Sequence, residues 1–318
     1  MTLTELRYVV TVGRTLHFGR AAEACFVSQP TLSIAIKKLE EELGVILFER
    51  GLNEIRPTPV GMKVIEQAQQ VLSQAEQIRQ LANEGKEQLN EPLRLGIIYT
   101  IGPYLLPHLI PVLNQLAPDM PLIIREDFTE NLRVSLKNGE IDVAILSLPF
   151  TEPGLKTHLL YEEPFMLAIP SKHRWVKRKN IHPEELGEET LLLLGAGNCF
   201  REQVVAACPD CITTSDSQKS ALQKTLEGSS LETMRQMAAS GVGITVLPCT
   251  SAAKGMDVNG LIKIKPFSDP APSRDVVLAW RNSFPREEAV NTLNQAVQKM
   301  SLAGVKKAGK VLAKTDQR

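Results

Sequence analysis

The chain has 318 residues, 43% of them hydrophobic and 23% charged, and its formal net charge is zero. That is enough chain for two or three domains with separate cores, and the balance is that of a globular protein rather than a disordered, collagenous or disulfide-stapled one. A zero net charge gives no electrostatic sign of nucleic acid, no apolar run reaches membrane-spanning length, and MTLTELRYVV lacks a signal-peptide pattern, so a cytoplasmic protein without membrane contact is expected.

The first sixty residues carry a helical rhythm: Leu3, Leu6, Val9 and Val10, then Phe18, Ala21, Ala22 and Cys25. In FVSQPTLSIAIKKLEEELG, Ser28 is a good N-cap and Pro30 falls in the first helical turn, where its missing N–H costs little. Leu32, Ala35, Ile36, Leu39 and Leu43 form an apolar stripe, and Gly44 stops the helix. VILFERGLNEIRPTP reads as two short strands around a turn. Two helices joined through Phe26-Val27-Ser28 and followed by a strand pair predict a winged helix-turn-helix over 1–58. Opposite the apolar stripe lie Gln29, Thr31, Ser33 and Lys37, short polar groups suited to base edges. Ser28 and Pro30 open the same helix, and Arg50 and Arg56 flank the wing turn, where they suit DNA backbone or minor groove. The competing reading is a small helical domain with a solvated face: residues 1 to 58 hold seven Lys/Arg and seven Glu, with Glu40, Glu41 and Glu42 at the distal end of the helix.

From 59 to 89 the pattern is helical, with Val64, Val71 and Ile78 every seven residues and Ala68, Ala75 and Ala82 likewise. Thirty residues make a helix about 45 Å long with a coiled-coil-like seam, which calls for a second copy of itself. Beyond NEP at 90 to 92 the rhythm becomes α/β. LRLGIIYT, PLIIREDF and IDVAILSL, then PFMLAIP, TLLLLGA and GITVLP, alternate with helical segments; LIKIKPF, VVLAWR and a helix from Arg286 to Met300 close the chain. A two-lobed regulatory domain over 90–303 is expected, lobe I being 90–162 with 268–303 and lobe II 163–267, with a basic surface tail over 304–318. Hydroxyls at the ends of its strands and starts of its helices, Thr100, Thr129, Ser147, Ser229 and Ser230, either face the cleft or simply cap helices.

GAGNCFREQVVAACPDC, residues 195 to 211, holds three of the five cysteines. Zinc is not expected there, since three cysteines without a nearby histidine fall short of a four-ligand site, and no other metal or cofactor is expected either. Cys199 at a helix start, with Arg201 two residues on, has surroundings that favour thiolate. If residues 199 to 208 form one helix, the two sulfurs stand about 13 Å apart on roughly opposite faces, whereas a disulfide needs Cα atoms within about 7 Å. Joining them would require the helix to unwind. Cys211 makes a C-x-x-C with Cys208 and is an alternative thiol.

The run FGRAAEACFVSQPTLSIAIKKLEEELGVILFER closely resembles the winged helix-turn-helix of LysR-type transcriptional regulators. The resemblance implies the remaining order as well: a dimerising linker helix and a periplasmic-binding-protein-like effector domain, across nearly the whole chain. Within that family, GAGNCFREQVVAAC, YTIGPYLLPHLIP and SSLETMRQMAASGVGITVLP resemble the hydrogen-peroxide-sensor subgroup. This implies that Cys199 reacts with peroxide and Cys208 resolves it as a disulfide, with Thr100 and Thr129 positioning the peroxide. Many members carry histidine before the reactive cysteine; here it is Asn198, which donates a hydrogen bond but does not titrate. The resemblance also implies homodimers pairing into homotetramers on promoter operator DNA, activation of antioxidant genes through RNA polymerase, and resetting by glutaredoxin or thioredoxin. An enzyme is not expected. The alternatives are a LysR-type regulator answering a small organic co-inducer and, from another class, a thiol peroxidase.

Overall fold

The structure, a computed structural model, describes residues 1–50, 55–82, 88–208, 225–252 and 260–308. Two compact units divide the chain, Met1–Lys86 and Glu87–Arg318.

In the first unit, α1 (Leu3–Thr15) opens with a capping box: the Thr2 hydroxyl accepts from the Glu5 N–H while the Glu5 carboxylate accepts from the Thr2 N–H. Then come α2 (Phe18–Ala24) and α3 (Gln29–Leu43), with Ser28 capping α3 by accepting from the Thr31 N–H at 3.3 Å and Gly44 ending it at φ +68°. Strands β1 (Phe48–Arg50) and β2 (Ile55–Pro57) pair antiparallel as the wing, and α4 (Pro59–Ala82) follows. Leu32, Ile36 and Leu39 point inward from α3 against Val9 and Val12 of α1 and Ala21 of α2, all fully buried. Ile36→Ala is therefore expected to cost ~2–5 kcal/mol, by lost burial plus the cavity left behind; chemical denaturation of the first unit checks it. On α4 the expected seam divides. Ala68 is buried against the helix-turn-helix core and Val64 packs beside it, whereas Val71 and Ile78 stay exposed. The helix is described over 24 residues.

The second unit is built on one large sheet. In its first lobe β3 (Leu93–Ile98), α5 (Gly102–Leu116), β4 (Leu122–Asp127), α6 (Thr129–Lys137) and β5 (Val143–Ser147) alternate, with β3 parallel to both β4 and β5. β6 (Leu155–Pro170) is a 16-residue strand that runs from this lobe into the next. The second lobe contains β7 (Leu191–Leu194), α7 (Cys199–Ala207), β8 (Thr225–Gly228), α8 (Leu231–Ala239), β9 (Ile244–Pro248) and β10 (Ile262–Pro266). β11 (Ser273–Arg281) and α9 (Glu287–Lys299) return to the first lobe. β12 (Lys306–Lys307) ends the description. The sheet order is β4-β3-β5-β11-β6-β9-β7-β8, with β10 and β12 also on β6.

Each lobe has its own core, one around Leu95, Ile145, Leu278 and Leu293, the other around Leu167, Leu193, Phe200 and Leu247. The run PFMLAIP marks β6 only from Pro164; its first half is not apolar, because polar residues at Thr157, His158, Glu162 and Glu163 interrupt the pattern. Lys306 and Lys307, at the start of the expected surface tail, are exposed and form the short strand β12. They pair with Glu162 and Tyr161 of β6, and the Lys307 ammonium donates to carbonyls at the end of α9. A cation at a helix C-terminus is held there by unpaired carbonyls. Among the described residues no helix is long and apolar enough to cross a membrane.

Candidate redox site and DNA-contact face

Strand and helix ends of both lobes meet around one shallow cavity of about 190 Å³, counting its open mouth. From the first lobe it is lined by Ile98 at the end of β3 and Tyr99 and Thr100 just after it, and by Asp127, Phe128 and Thr129 where β4 turns into α6. From the second lobe come Gly197, Asn198 and Cys199, the turn that starts α7. Gly197 adopts φ +90°, a left-handed conformation in which a side chain is strained. The thiol of Cys199 is free and partly accessible.

Four residues named from sequence, Thr100, Thr129, Asn198 and Cys199, thus share one cavity. The Thr100 hydroxyl is fixed as an acceptor from Arg274 Nη1 at 2.9 Å, leaving its own hydrogen to donate. Thr129 Oγ1 is buried and has no hydrogen-bond partner among the described residues. Asn198 donates from Nδ2 to the Gly195 carbonyl at 3.0 Å, which fixes the turn ahead of α7 rather than engaging the thiol. Arg201 departs from expectation. Its guanidinium donates to the Leu194 carbonyl at 2.8 Å and pairs with Glu227 at 2.7 Å, so it anchors α7 to the ends of β7 and β8. Two positions along a helix turn a side chain by about 200°, which carries Arg201 away from the face that Cys199 presents. Ser147 belongs to the lobe contact, accepting from Gln203, and Ser230 caps α8 by accepting from the Thr233 N–H.

The cysteines are sharply distinguished. Cys208 ends α7 on its buried face, in line with Phe200 and Val204, and is 1% exposed. Of the five cysteines, Cys25, Cys199 and Cys249 are free, while Cys208 is disulfide-bonded; Cys199 and Cys208 are therefore not joined to each other. The reading of Cys211 as an alternative thiol falls outside the described residues. Burial, reinforced by the Glu163 charge, pushes the Cys249 thiol up to about 12, so it stays protonated and poorly nucleophilic at neutral pH. Among the described residues no group of three or more His, Cys, Asp or Glu is gathered to hold a metal ion.

Two supports of the site were invisible in the sequence. Arg274 and Glu163 form a fully buried ion pair at 2.7 Å; Arg274 also donates from Nη2 to the Thr100 carbonyl at 3.1 Å and lies 5.2 Å from the centroid of the Phe200 ring. The Glu163 carboxylate accepts in turn from the Thr250 N–H at 3.0 Å and from its hydroxyl. One cation thus braces the cavity wall at Thr100 and the buried side of α7. Gln203 donates from Nε2 to Ser147 Oγ and to the Leu148 carbonyl, both at 2.7 Å, and so latches α7 to the first lobe. It stands four residues after Cys199, the helical spacing that alone could have marked it.

On the first unit, Gln29, Pro30, Thr31 and Lys37 are exposed on α3 and Ser33 is partly so. The Ser28 hydroxyl is shared with Thr31 Oγ1 at 2.8 Å, and Arg50 and Arg56 lie on the two wing strands.

Residues 3–62 match the bacterial regulatory helix-turn-helix of the lysR family, and residues 86–301 match the LysR substrate binding domain. The chain belongs to the LysR family of DNA-binding transcriptional regulators, and its regulatory half has the periplasmic-binding-protein-like fold of that family. Within the family its relatives include OxyR proteins. It is 36% identical over 298 residues to the DNA-binding transcriptional dual regulator OxyR of Escherichia coli K12, covering 94% of this chain and 95% of that one. It is also 36% identical to the hydrogen peroxide-inducible genes activator of Haemophilus influenzae, over 93% and 96% of the two chains. A full-length OxyR structure from Pseudomonas aeruginosa superposes with a TM-score of 0.79 at 49% identity, over 98% and 99% of the chains. A hydrogen-peroxide-bound OxyR mutant from Corynebacterium glutamicum gives 0.62 at 33% identity, over 94% and 92%. These relatives are regulators of transcription, not enzymes.

Proposed function

We propose that this regulator senses hydrogen peroxide through Cys199 and transmits the oxidation to its DNA-binding units. The observation that carries the reading is one cavity in which a free thiol stands with the Thr100 hydroxyl, held by Arg274, and with the buried, unpartnered Thr129 Oγ1. A peroxide placed there meets a nucleophile and two hydroxyls able to hold its oxygens. The Cys199 thiolate attacks one oxygen, the O–O bond breaks, the other oxygen leaves as water after taking a proton, and a sulfenic acid remains on sulfur. Condensation with Cys208 then expels a second water and forms the Cys199–Cys208 disulfide.

That second step demands rearrangement. The two residues stand at opposite ends of the nine-residue α7, one opening to the cavity and the other buried. Cys208 must also be released from its present disulfide by reduction or exchange before it can resolve Cys199. Unwinding α7 breaks the Gln203 latch on Ser147 and Leu148 and alters how the two lobes hold each other. On the DNA side, Gln29, Pro30, Thr31, Ser33 and Lys37 are assigned to the major groove, Ser28 to the cap and adjacent phosphate, and Arg50 and Arg56 to the wing's backbone contacts. The exposed Val71 and Ile78 of α4 support pairing with a second copy through the linker helix, and tetramers form as two such dimers. Promoter operators, RNA polymerase, and glutaredoxin or thioredoxin as reductant complete the cycle in the cytoplasm.

The test is a footprint of the full-length chain on operator DNA before and after one equivalent of hydrogen peroxide. An altered footprint that dithiothreitol reverses supports the reading; an unchanged footprint that shifts with an organic co-inducer rejects it. A sharper expectation concerns Thr129→Val, which removes one hydrogen bond to the reacting peroxide. It should slow Cys199 oxidation roughly tenfold, measured by stopped flow, while leaving stability nearly unchanged.

A further inference from the structure

One large apolar side chain lies where α3 presents its polar groups to solvent. Ile34, the sixth residue of α3, is 67% exposed, and it belongs neither to the buried core of the helix-turn-helix nor to the partly buried residues packed on it. It stands two positions from Leu32 and two from Ile36, both fully buried, so the helix turns it about 160° away from each. Its neighbours one turn back are Pro30 and Thr31, and one turn on are Lys37 and Lys38, all of them exposed. Ile34 is thus centred among the groups assigned to the major groove, in the half of a recognition helix that reaches base edges. The Lys37 ammonium is available to phosphate, because its pair with Glu41 is 3.8 Å long and open to solvent at both ends. A lone exposed isoleucine needs no explanation on an ordinary surface. Here it is flanked by two cations, which suit a phosphate backbone rather than an apolar protein partner. The apolar positions suited to a second copy, Val71 and Ile78, lie instead on α4.

We propose that Ile34 reads the 5-methyl group of a thymine in each half-site of the operator. This rests on the assignment of α3 to the major groove and names one base that the helix selects. Thymine alone carries an apolar group on its major-groove edge, the C5 methyl, and a hydrogen-bonding group such as the Gln29 amide gains nothing from it. Packing the methyl against Ile34 takes both out of water. A β-branched side chain on a helix keeps one main rotamer, so little freedom is lost when it docks. Gln29 and Ser33 then read polar base edges and the two lysines hold phosphate, while Ile34 separates thymine from a pyrimidine that lacks the methyl.

The experiment gives the full-length protein random-sequence duplex DNA and takes the sequence it selects as the operator. Each thymine of one half-site is then replaced in turn by uracil, which deletes only the methyl. Affinities are measured by gel shift at one fixed salt concentration for the wild type, Ile34→Ala and Ile34→Val. The expected result is that uracil at one position weakens wild-type binding roughly fourfold, the effect of losing one buried methyl. Ile34→Ala should bind the thymine and uracil duplexes within about twofold of each other, and Ile34→Val should keep most of the discrimination. Thermal unfolding should be unchanged in Ile34→Ala, since the side chain is exposed and alanine favours the helix. If no thymine shows a penalty in the wild type, or if the penalty persists undiminished in Ile34→Ala, the inference fails while DNA reading by α3 stands. If Ile34→Ala instead lowers the oligomeric state in sedimentation and keeps the discrimination, the side chain serves a contact between copies and the inference fails. If no sequence is selected, or if Gln29→Ala and Ser33→Ala keep the wild-type preference for it, the assignment of α3 to the major groove falls and the inference with it.

Discussion

Replacing Arg274 with methionine is expected to destabilise the regulatory unit by ~3–5 kcal/mol, the largest loss of any single change considered, because it strands a carboxylate in a dry interior. Both partners of the Glu163–Arg274 pair are completely buried. Methionine fills much of the volume, so the effect isolates charge from packing. The Thr250 N–H and hydroxyl remain on Glu163, but two neutral donors do not replace a guanidinium. Guanidinium denaturation of the full-length protein measures the loss. The double change Glu163→Gln with Arg274→Met, which removes the stranded charge, should recover a large part of it. Oxidation of Cys199 should slow in Arg274→Met as well, since Thr100 loses the donor that orients its hydroxyl toward the cavity.

Cys199→Ser is expected to abolish the response of operator binding to hydrogen peroxide, because a serine oxygen is not oxidised by peroxide and no sulfenic acid can form. Cys249→Ser is expected to leave the response intact. Its thiol, pushed up to about 12 by burial beside Glu163, is held protonated and contacts the Ala303 carbonyl away from the cavity. DNA affinity in reductant should be the same for wild type and Cys199→Ser, since no residue of the first unit is altered. Gel shifts across a peroxide titration separate these outcomes. Should Cys249→Ser remove the response and Cys199→Ser preserve it, the wrong thiol has been assigned.

How far the sequence carries depends on the range of the interactions involved. The helix-turn-helix was legible because its determinants are local: the Ser28 cap, the Leu32–Ile36–Leu39 stripe and Gly44 lie within one short stretch. The cysteine helix was legible for the same reason, from the turn before Cys199 to the end at Cys208. The gathering of Thr100, Thr129, Asn198 and Cys199 came from strand ends and a family resemblance, and the fold places all four on one cavity. What failed was direction and distance. Arg201 is near Cys199 in sequence, but helix geometry turns it to Glu227. Arg274 meets Thr100 across 174 positions and Glu163 across 111, separations that no local pattern encodes. The bond already held by Cys208 was likewise not set by the local pattern.

The most direct measurement is peptide mapping by mass spectrometry after the fully reduced protein receives one equivalent of hydrogen peroxide, with free thiols blocked before digestion. The expected result is a Cys199–Cys208 linked peptide in the wild type that is absent from Cys199→Ser. A product in which Cys208 is linked only to Cys211 while Cys199 stays a free thiol would contradict a switch built on unwinding α7.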